Sequence, residues 1–185
     1  MPRTYFTLSL AVALLVGALQ FVRAHDQPAT QPGKAQPVDF HKLQELMPAE
    51  AVGVTRSDLG GENISVGNMP FSRANADYTK PDSDGSDARA SIEIADYGAA
   101  PQMVAGMTAW RMAPVNVQND QGYTRTVKFK DFPAMETYTR DGDSRQLMVL
   151  VADRFLVQLE TAHVAEAEFK KLIESLPLEK LATLK

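Results

Sequence analysis

Three aspartates in a glycine-containing turn are the residues of this chain that come closest to a metal site. Asp82, Asp84 and Asp87 surround Gly85, and alternating carboxylates on a tight loop can converge on a hard cation such as Ca²⁺. A calcium-binding loop has glycine at about position six and glutamate at about position twelve, whereas here, counting from Asp82, glycine is at position four. Since Asp, Ser and Gly are also the ordinary turn formers, the sequence favours a solvated hairpin turn.

A second arrangement is a row of methionines beside the single tryptophan of the chain. Met103, Met107 and Trp110 share one face if residues 101–112 form a helix. Thioethers are ligands that Cu(I) prefers, which makes these residues candidates for ligand binding. The same pattern is typical of a helix packed on a sheet, because methionine fills irregular gaps in cores. We expect the ordinary core stripe.

Other residues with catalytic chemistry lack the partners that such chemistry needs. His25, His41 and His163 form no metal-binding spacing such as H-E-x-x-H, and the chain contains no G-x-S-x-G sequence, which marks the nucleophile of many hydrolases. Paired carboxylates for glycoside chemistry stay open, because their separation depends on the fold. We therefore predict no catalytic residue, no metal and no cofactor, and expect a protein that is not an enzyme.

The chain is partly similar to itself, and this similarity supplies further candidates. Residues 74–80 read ANADYTK and residues 134–140 read AMETYTR, an offset of 60. One interpretation is a duplicated β-meander-plus-helix unit, with two equivalent inward tyrosines as candidate ligand-binding residues. The other interpretation is that the two segments became similar independently, because short hairpins use few residue types. A dispersed enzyme site would be sought among the residues that the comparison pairs: Tyr78, Tyr138, Arg89, Arg145, Asp96 and Asp153.

The elements that must position these residues are short strands and helices. Period-two alternation, interrupted by Gly and Pro, runs through residues 51–96 and 123–160, which predicts antiparallel strands joined by turns. Apolar residues at helical spacing predict helices over residues 39–47, 101–112 and 165–176, and the last stripe continues over residues 178–184 after Pro177. The fold class is therefore α+β, an antiparallel sheet of about seven to eight strands with helices packed on it.

Residues 38–185 are expected to form one domain built on this sheet. The run LMVLVA over residues 147–152 is apolar on both of its faces. Such a strand is typical of the interior of a sheet that is covered on both sides. We therefore expect a helix on one side of this strand and another covering layer on the opposite side.

Residues 1–24 have the pattern of a secretory signal peptide. Arg3 precedes an apolar run over residues 6–22, and small residues come just before the expected cleavage point after Ala24. We expect cleavage there, followed by a disordered linker over residues 25–37, which are rich in proline and glutamine. The alternative is a retained anchor, although the run is shorter than the roughly 20 apolar residues of a membrane span.

The absence of cysteine narrows the expected compartment. The chain has no cysteine, which excludes the acylated residue of a lipoprotein. An exported chain without disulfides suits the bacterial periplasm better than a eukaryotic extracellular space. We predict a periplasmic protein of a Gram-negative bacterium with no stable membrane anchor after cleavage.

The charge pattern argues against nucleic acid as a partner. The formal net charge is −4, and the basic residues are mostly scattered, with Lys170 and Lys171 as an adjacent pair. A nucleic-acid-binding domain usually has a basic stripe that follows the phosphate backbone. We expect the partner to be of another class.

Several local motifs resemble those of a bacterial protein group. These are A-x-x-x-Y-T-K over residues 74–80, S-I-E-I-A-D-Y-G over residues 91–98, a tryptophan-bearing helix, and D-R-F-L-V over residues 153–157. The pattern resembles uncharacterised secreted proteins of Gram-negative bacteria over about residues 70–185. The resemblance implies export and these domain limits, and it brings no assigned activity and no functional residues.

The sequence leaves three functional hypotheses, with the oligomeric state open. The first is a non-enzymatic binding or accessory domain that contacts an envelope protein through a sheet face or an edge strand. The second is a carrier for a small apolar ligand or lipid, because small residues would face the helix over residues 101–112. The third is an enzyme whose site the sequence does not reveal. In the carrier hypothesis, the small residues that would face the helix are Ala74, Ala76, Ala88 and Ala90.

Overall fold

The computed structural model describes residues 36–51, 54–80 and 88–185. In these residues nine antiparallel strands form one sheet, and short helices pack on it. Eight of the strands have four residues or more and one has two. The predicted α+β fold with helices on an antiparallel sheet is confirmed. No helix in the described ranges combines the length and apolar character needed to cross a membrane.

The secondary-structure elements follow the predicted alternation closely. The strands are β1 (Glu50–Ala51), β2 (Val54–Val66), β3 (Met69–Thr79), β4 (Arg89–Asp96), β5 (Asn116–Asn119), β6 (Gly122–Phe129), β7 (Phe132–Thr139), β8 (Ser144–Val151) and β9 (Phe155–Ala162). The helices are α1 (Phe40–Gln44), α2 (Pro101–Met107), α3 (Glu166–Glu174) and α4 (Leu178–Ala182), with a 3-10 turn at Ala109–Arg111.

Two meanders meet in the middle of the sheet. The strand order is β1-β2-β3-β4-β9-β8-β7-β6-β5. The central contact joins β4 and β9 in an eight-residue antiparallel register from Arg89 opposite Ala162 to Asp96 opposite Phe155. Side chains directly opposite one another point to the same face, so each register row across the sheet lies on one face.

One face of the sheet carries the larger core, and we call it the core face. Helices α1, α3 and α4 cover it, each with buried apolar residues. The strands contribute alternate residues, as half-buried antiparallel strands do. The largest fully buried side chains of this core include Tyr78, Ile92, Leu159, Val149, Phe155, Phe169, Leu43, Leu178 and Leu181.

The opposite face, which we call the open face, is covered at one end. Helix α2 packs Val104 there against a second apolar cluster that includes Phe71, Tyr97, Leu150 and Leu156. Strand β8 therefore has buried apolar residues on both faces, as the run LMVLVA predicted. The rest of the open face presents the polar side of the strands.

The two halves of the chain are not the duplicated unit that the self-comparison suggested. The self-comparison equates β3 with β7 at an offset of 60 and the start of β4 with the start of β8 at an offset of 56, whereas the strand order is symmetric about the contact between β4 and β9. Helix α2 lies on the open face and α3 on the core face. A twofold axis normal to the sheet would keep both helices on one face. The similar segments are therefore explained by shared hairpin composition.

A buried ion pair joins the ends of β4 and β9 to the segment before α1. Asp96 is 0% exposed and accepts hydrogen bonds from Arg154 Nε and Nη2, both at 2.7 Å. It also accepts from the backbone N–H of Val38 at 2.7 Å and of Gly98 at 2.8 Å. A buried carboxylate is stable when it is paired and hydrogen-bonded in this way.

Candidate functional site

The two tyrosines chosen from the self-comparison lie far apart. Tyr78 on β3 is fully buried and donates its hydroxyl hydrogen to Pro48 O at 2.8 Å. Burial raises the pKa of Tyr78 to about 12. Tyr138 on β7 is half-buried, with the guanidinium of Arg145 at 4.4 Å from its ring centroid. Strands β4, β9 and β8 separate the two rings, so they do not form one site.

The methionine row belongs mostly to the apolar cluster under α2. Helix α2 ends at Met107, earlier than predicted, because Thr108 leaves the helical conformation and its hydroxyl donates to Val104 O at 2.7 Å. Met103 packs on the cluster and Trp110 is buried, whereas Met107 is 36% exposed. The residues are therefore divided between core and surface.

The calcium and histidine candidates lie only partly within the described residues. Asp82, Asp84 and Asp87 lie outside the described residues, as does His25. His41 Nδ1 is 2.7 Å from Asp39 Oδ1 at the start of α1. Within residues 36–51, 54–80 and 88–185, no three His, Cys, Asp or Glu side chains are grouped so that they could hold a metal ion.

The residues proposed for a dispersed enzyme site are distributed over both ends and both faces of the sheet. Arg89 begins β4 and faces the open side, while Arg145 near the start of β8 faces the core side. Asp96 ends β4 in the buried ion pair, and Asp153 lies beyond β8, where it pairs with Arg111 at 2.7 Å. An eight-residue strand is about 25 Å long, so these residues do not converge.

The geometric premise of the apolar carrier is wrong. The four alanines from Ala74 to Ala90 pack in the large core of the core face, beneath α1, α3 and α4. Helix α2 packs on the other face of the sheet. Close packing of small residues against helices needs no cavity, and protein interiors are normally filled.

The structure instead brings together a row of polar residues on the open face. Across five neighbouring strands the register places Asp77, Ser91, Glu160, Gln146 and Thr137 side by side. Adjacent strands are about 4.8 Å apart, so this row extends for roughly 19 Å. Each side chain can donate or accept hydrogen bonds, and all are held by the sheet backbone.

The row lines a continuous hollow in the surface. The largest part has a volume of about 730 Å³ and lies between β3 and β7. A neighbouring part of about 360 Å³ shares Asp77, Ser91 and Glu160 with it. A third part of about 200 Å³ continues from Thr137 to Val117 at the edge strand β5. We refer to these three parts together as the polar groove.

Glu160 is held in a defined position at the centre of the groove. Gln146 Nε2 donates to Glu160 Oε1 at 2.8 Å, and Gln158 Nε2 donates to the same oxygen at 2.6 Å. Both amides come from residues on the open face of β8 and β9. Among the described residues no donor contacts Oε2, so this oxygen is accessible for a hydrogen bond from outside.

Carboxylates and arginines both line the groove. Asp77, Glu93 and Glu160 line it, and Arg73 lies 3.9 Å from Glu93 and is bound to Glu62, with its Nε 2.8 Å from Glu62 Oε1. The hydrogen bond that Arg73 donates to Glu62 raises the pKa of Arg73. Arg89 and Arg145 also line the groove, so its acidic part is the region of Asp77 and Glu160, which have no ion-pair partner among the described residues.

Sequence reasoning missed this site although its signal was visible. The alternation of β3 marked Asn75 and Asp77 as the polar side of a half-buried strand, and β4 and β9 show the same pattern. Polar positions on one strand indicate only solvent. The strand order was needed to show that those of β3, β4, β9, β8 and β7 meet in one row.

Comparison of the chain with models of protein families, with curated proteins and with solved structures finds no match.

Proposed function

We propose that this chain is an exported, periplasmic, non-enzymatic binding module that holds a protein of the cell envelope in its polar groove. The groove on the open face carries this proposal. It is a broad hollow built on rigid strands, lined by hydroxyl, amide and carboxylate groups. Functional groups on strands are held more firmly than groups on loops, which suits recognition of a partner.

The chemistry of the groove indicates the kind of surface that it would bind. The carboxylates of Asp77 and Glu160 face it without an ion-pair partner among the described residues, and Glu160 Oε2 is free to accept a hydrogen bond in that part of the chain. A partner segment with lysine, arginine or amide donors would complement these two carboxylates. Such complementarity contributes mainly to specificity and to the association rate.

The proposed compartment rests on the sequence. An apolar run over residues 6–22 after Arg3, small residues before position 25 and a chain without cysteine are typical of an exported bacterial protein without disulfides. Cell fractionation followed by intact-mass measurement tests this. We expect a periplasmic species that begins after Ala24. Full-length protein in the cytosol would contradict export.

The binding site is tested by capture from periplasmic extract of the native cells with matched charge reversals. Glu160→Lys changes the centre of the groove, and Glu174→Lys makes the same change on α3, at an exposed position on the other side of the sheet. We expect wild type and Glu174→Lys to retain the same protein. Glu160→Lys should retain at least about tenfold less, which corresponds to about 1.4 kcal/mol.

Two outcomes would contradict the groove as the binding site. One is equal retention of that protein by all three forms of the chain. The other is the absence of any protein retained above the level of a blank matrix. Circular dichroism of each variant verifies that the fold is kept.

A further inference from the structure

Strand β5 is an edge strand with unusual composition. It ends the strand order of the sheet, and all four of its residues are exposed. The strand reads NVQN and has no charged residue and no proline. Proteins usually protect edge strands with charge, proline or short length, because an unprotected edge pairs with other strands; of these three, β5 has short length alone.

The backbone geometry shows which groups of β5 point outward. The N–H of Thr126 on β6 donates to Val115 O at 2.8 Å, so the backbone polar groups of residue 115 face β6. In an antiparallel ladder these groups alternate in direction along the strand. Those of Val117 therefore also face β6, and the N–H and C=O of Asn116 and Gln118 point away from the sheet.

We propose that β5 pairs in antiparallel fashion with β5 of a second copy of this chain, about a twofold axis at Val117. In this register Asn116 of one copy exchanges both backbone hydrogen bonds with Gln118 of the other. Val117 lies opposite its own counterpart as the non-hydrogen-bonded pair, where side chains approach most closely. The interface is isologous, the form that closes as a dimer.

Self-complementarity is the reason why the occupant is a second copy. Val117 is 56% exposed, and its counterpart supplies an apolar surface of the same size. The amides of Asn116 and Gln118 meet each other, and no like charges are brought together. The opposite edge differs, because β1 has two residues, one of them Glu50.

Pairing at β5 would also extend the groove, although the inference stands independently of the proposed function. The twofold axis is normal to the sheet, so the open faces of both copies lie on the same side. Val117 lines the part of the polar groove nearest the edge. The two grooves would therefore meet at the new interface as one surface.

Sedimentation velocity across a concentration series tests the dimer. Three paired residues in each copy bury far less than the roughly 1,200 Å² of a standard interface. We therefore expect reversible association with a dissociation constant between about 10 µM and 1 mM. Val117→Lys places two like charges opposite each other and should weaken association more than tenfold. Val66→Lys is the matched control, because Val66 is a strand valine of 54% exposure elsewhere on the sheet.

Oxidative cross-linking tests the register, because the natural chain has no cysteine. Val117→Cys should form a covalent dimer within the concentration range of the sedimentation experiment, and Val66→Cys should form much less. A monomer at all concentrations would overturn the proposal. So would association that Val117→Lys leaves unchanged, or equal cross-linking of the two cysteine variants. Partner capture through Glu160 is measured separately, so failure of either proposal is recognised without the other.

Discussion

Two carboxylates on the central strands illustrate two different uses of charge in this protein. Asp96 at the end of β4 has no exposed surface and accepts four hydrogen bonds, two of them from Arg154. Glu160 on β9 is exposed and accepts two, both on the same oxygen. The first carboxylate is saturated by the protein, and the second keeps one oxygen directed to solvent.

The difference separates a carboxylate that stabilises the fold from one on which the proposed binding function depends. The bonds of Asp96 join residues 58 positions apart in sequence, so they hold the segment before α1, the end of β4 and the turn before β9 together. The bonds of Glu160 come from Gln146 and Gln158, which orient it and connect no other layer. Removing the first should affect folding, and removing the second should affect binding.

The largest effect is expected from Asp96→Asn. The change leaves the guanidinium of Arg154, whose side chain is 18% exposed, without its carboxylate. Breaking a buried pair by removing one partner typically costs 3 to 5 kcal/mol, so we expect the free energy of unfolding to fall by about 3 to 5 kcal/mol. Urea unfolding followed by circular dichroism measures it.

A double variant provides the control for this prediction. Asp96→Asn combined with Arg154→Leu removes the unpaired charge, so the double variant should be less destabilised than the sum of the single changes. Hydrogen exchange at the amide of Val38, which donates to Asp96, should become faster in both forms. A loss below about 1 kcal/mol for Asp96→Asn would show that the buried pair contributes little to stability.

Tyr78 should make stability depend on alkaline pH. Its pKa is raised from 10.0 to about 12 by burial, so the unfolded chain loses the phenolic proton before the folded chain does. The contribution of Tyr78 to the free energy of unfolding is complete below about pH 10 and is lost as the pH rises to about 12. The shift corresponds to about 2 to 3 kcal/mol.

Comparison with Tyr78→Phe isolates this contribution from that of the other tyrosines. The variant loses the hydrogen bond to Pro48 O, an offset of about 1 kcal/mol that does not vary with pH. Above pH 10 the stability of wild type should decline more steeply than that of the variant. The free energies of unfolding of both forms are measured by urea unfolding from pH 9 to pH 12. If they change with pH in the same way, the prediction is refuted.

A smaller effect in acid is expected at Asp39, which lies at the start of α1. The pKa of Asp39 is lowered to about 2, chiefly by the hydrogen bond from Asn63 and then by the backbone N–H of His41. The contribution of ionised Asp39 to the free energy of unfolding is present above about pH 4 and is lost as the pH falls to about 2. Asp39→Asn should therefore be less stable than wild type at pH 6, and the difference should shrink below pH 4.

An NMR titration of Asp39 in wild type and in Asn63→Ala measures the cause directly. Removing the Asn63 amide should move the Asp39 pKa upward, toward its ordinary value of about 3.9. If Asp39 titrates at the same pH in both forms, the hydrogen bond from Asn63 does not lower its pKa.

The strands could be predicted from sequence because their alternation is local. Residues 72–79 alternate between small apolar and polar side chains, which is sufficient to identify β3 and its two faces. Strand β5 was missed, because its four residues include a single apolar one. The helix over residues 101–112 was predicted too long, since nothing in its apolar spacing indicated that Thr108 would end α2.

The site could not be predicted, because it depends on pairing between distant strands. Strand β4 lies beside β9 although 58 residues separate their nearest ends, and no local pattern indicates such a contact. The polar row of the open face and the contact between Asp96 and Arg154 both follow from this pairing. The face on which α2 packs also follows from it, which is why the alanines were wrongly placed opposite that helix.

The smallest effect on stability is expected where the same chemical change is made on the open face. Glu160→Gln replaces carboxylate by amide, as Asp96→Asn does, but its oxygen still accepts from Gln146 and Gln158 and no cation loses a partner. Exposed substitutions of this kind usually change the free energy of unfolding by less than about 0.5 kcal/mol. Measured beside Asp96→Asn in the same urea series, it should leave the unfolding midpoint of wild type unchanged. A loss of unfolding free energy above about 2 kcal/mol would mean that Glu160 stabilises the sheet as Asp96 does. That result would contradict a role of Glu160 in binding alone.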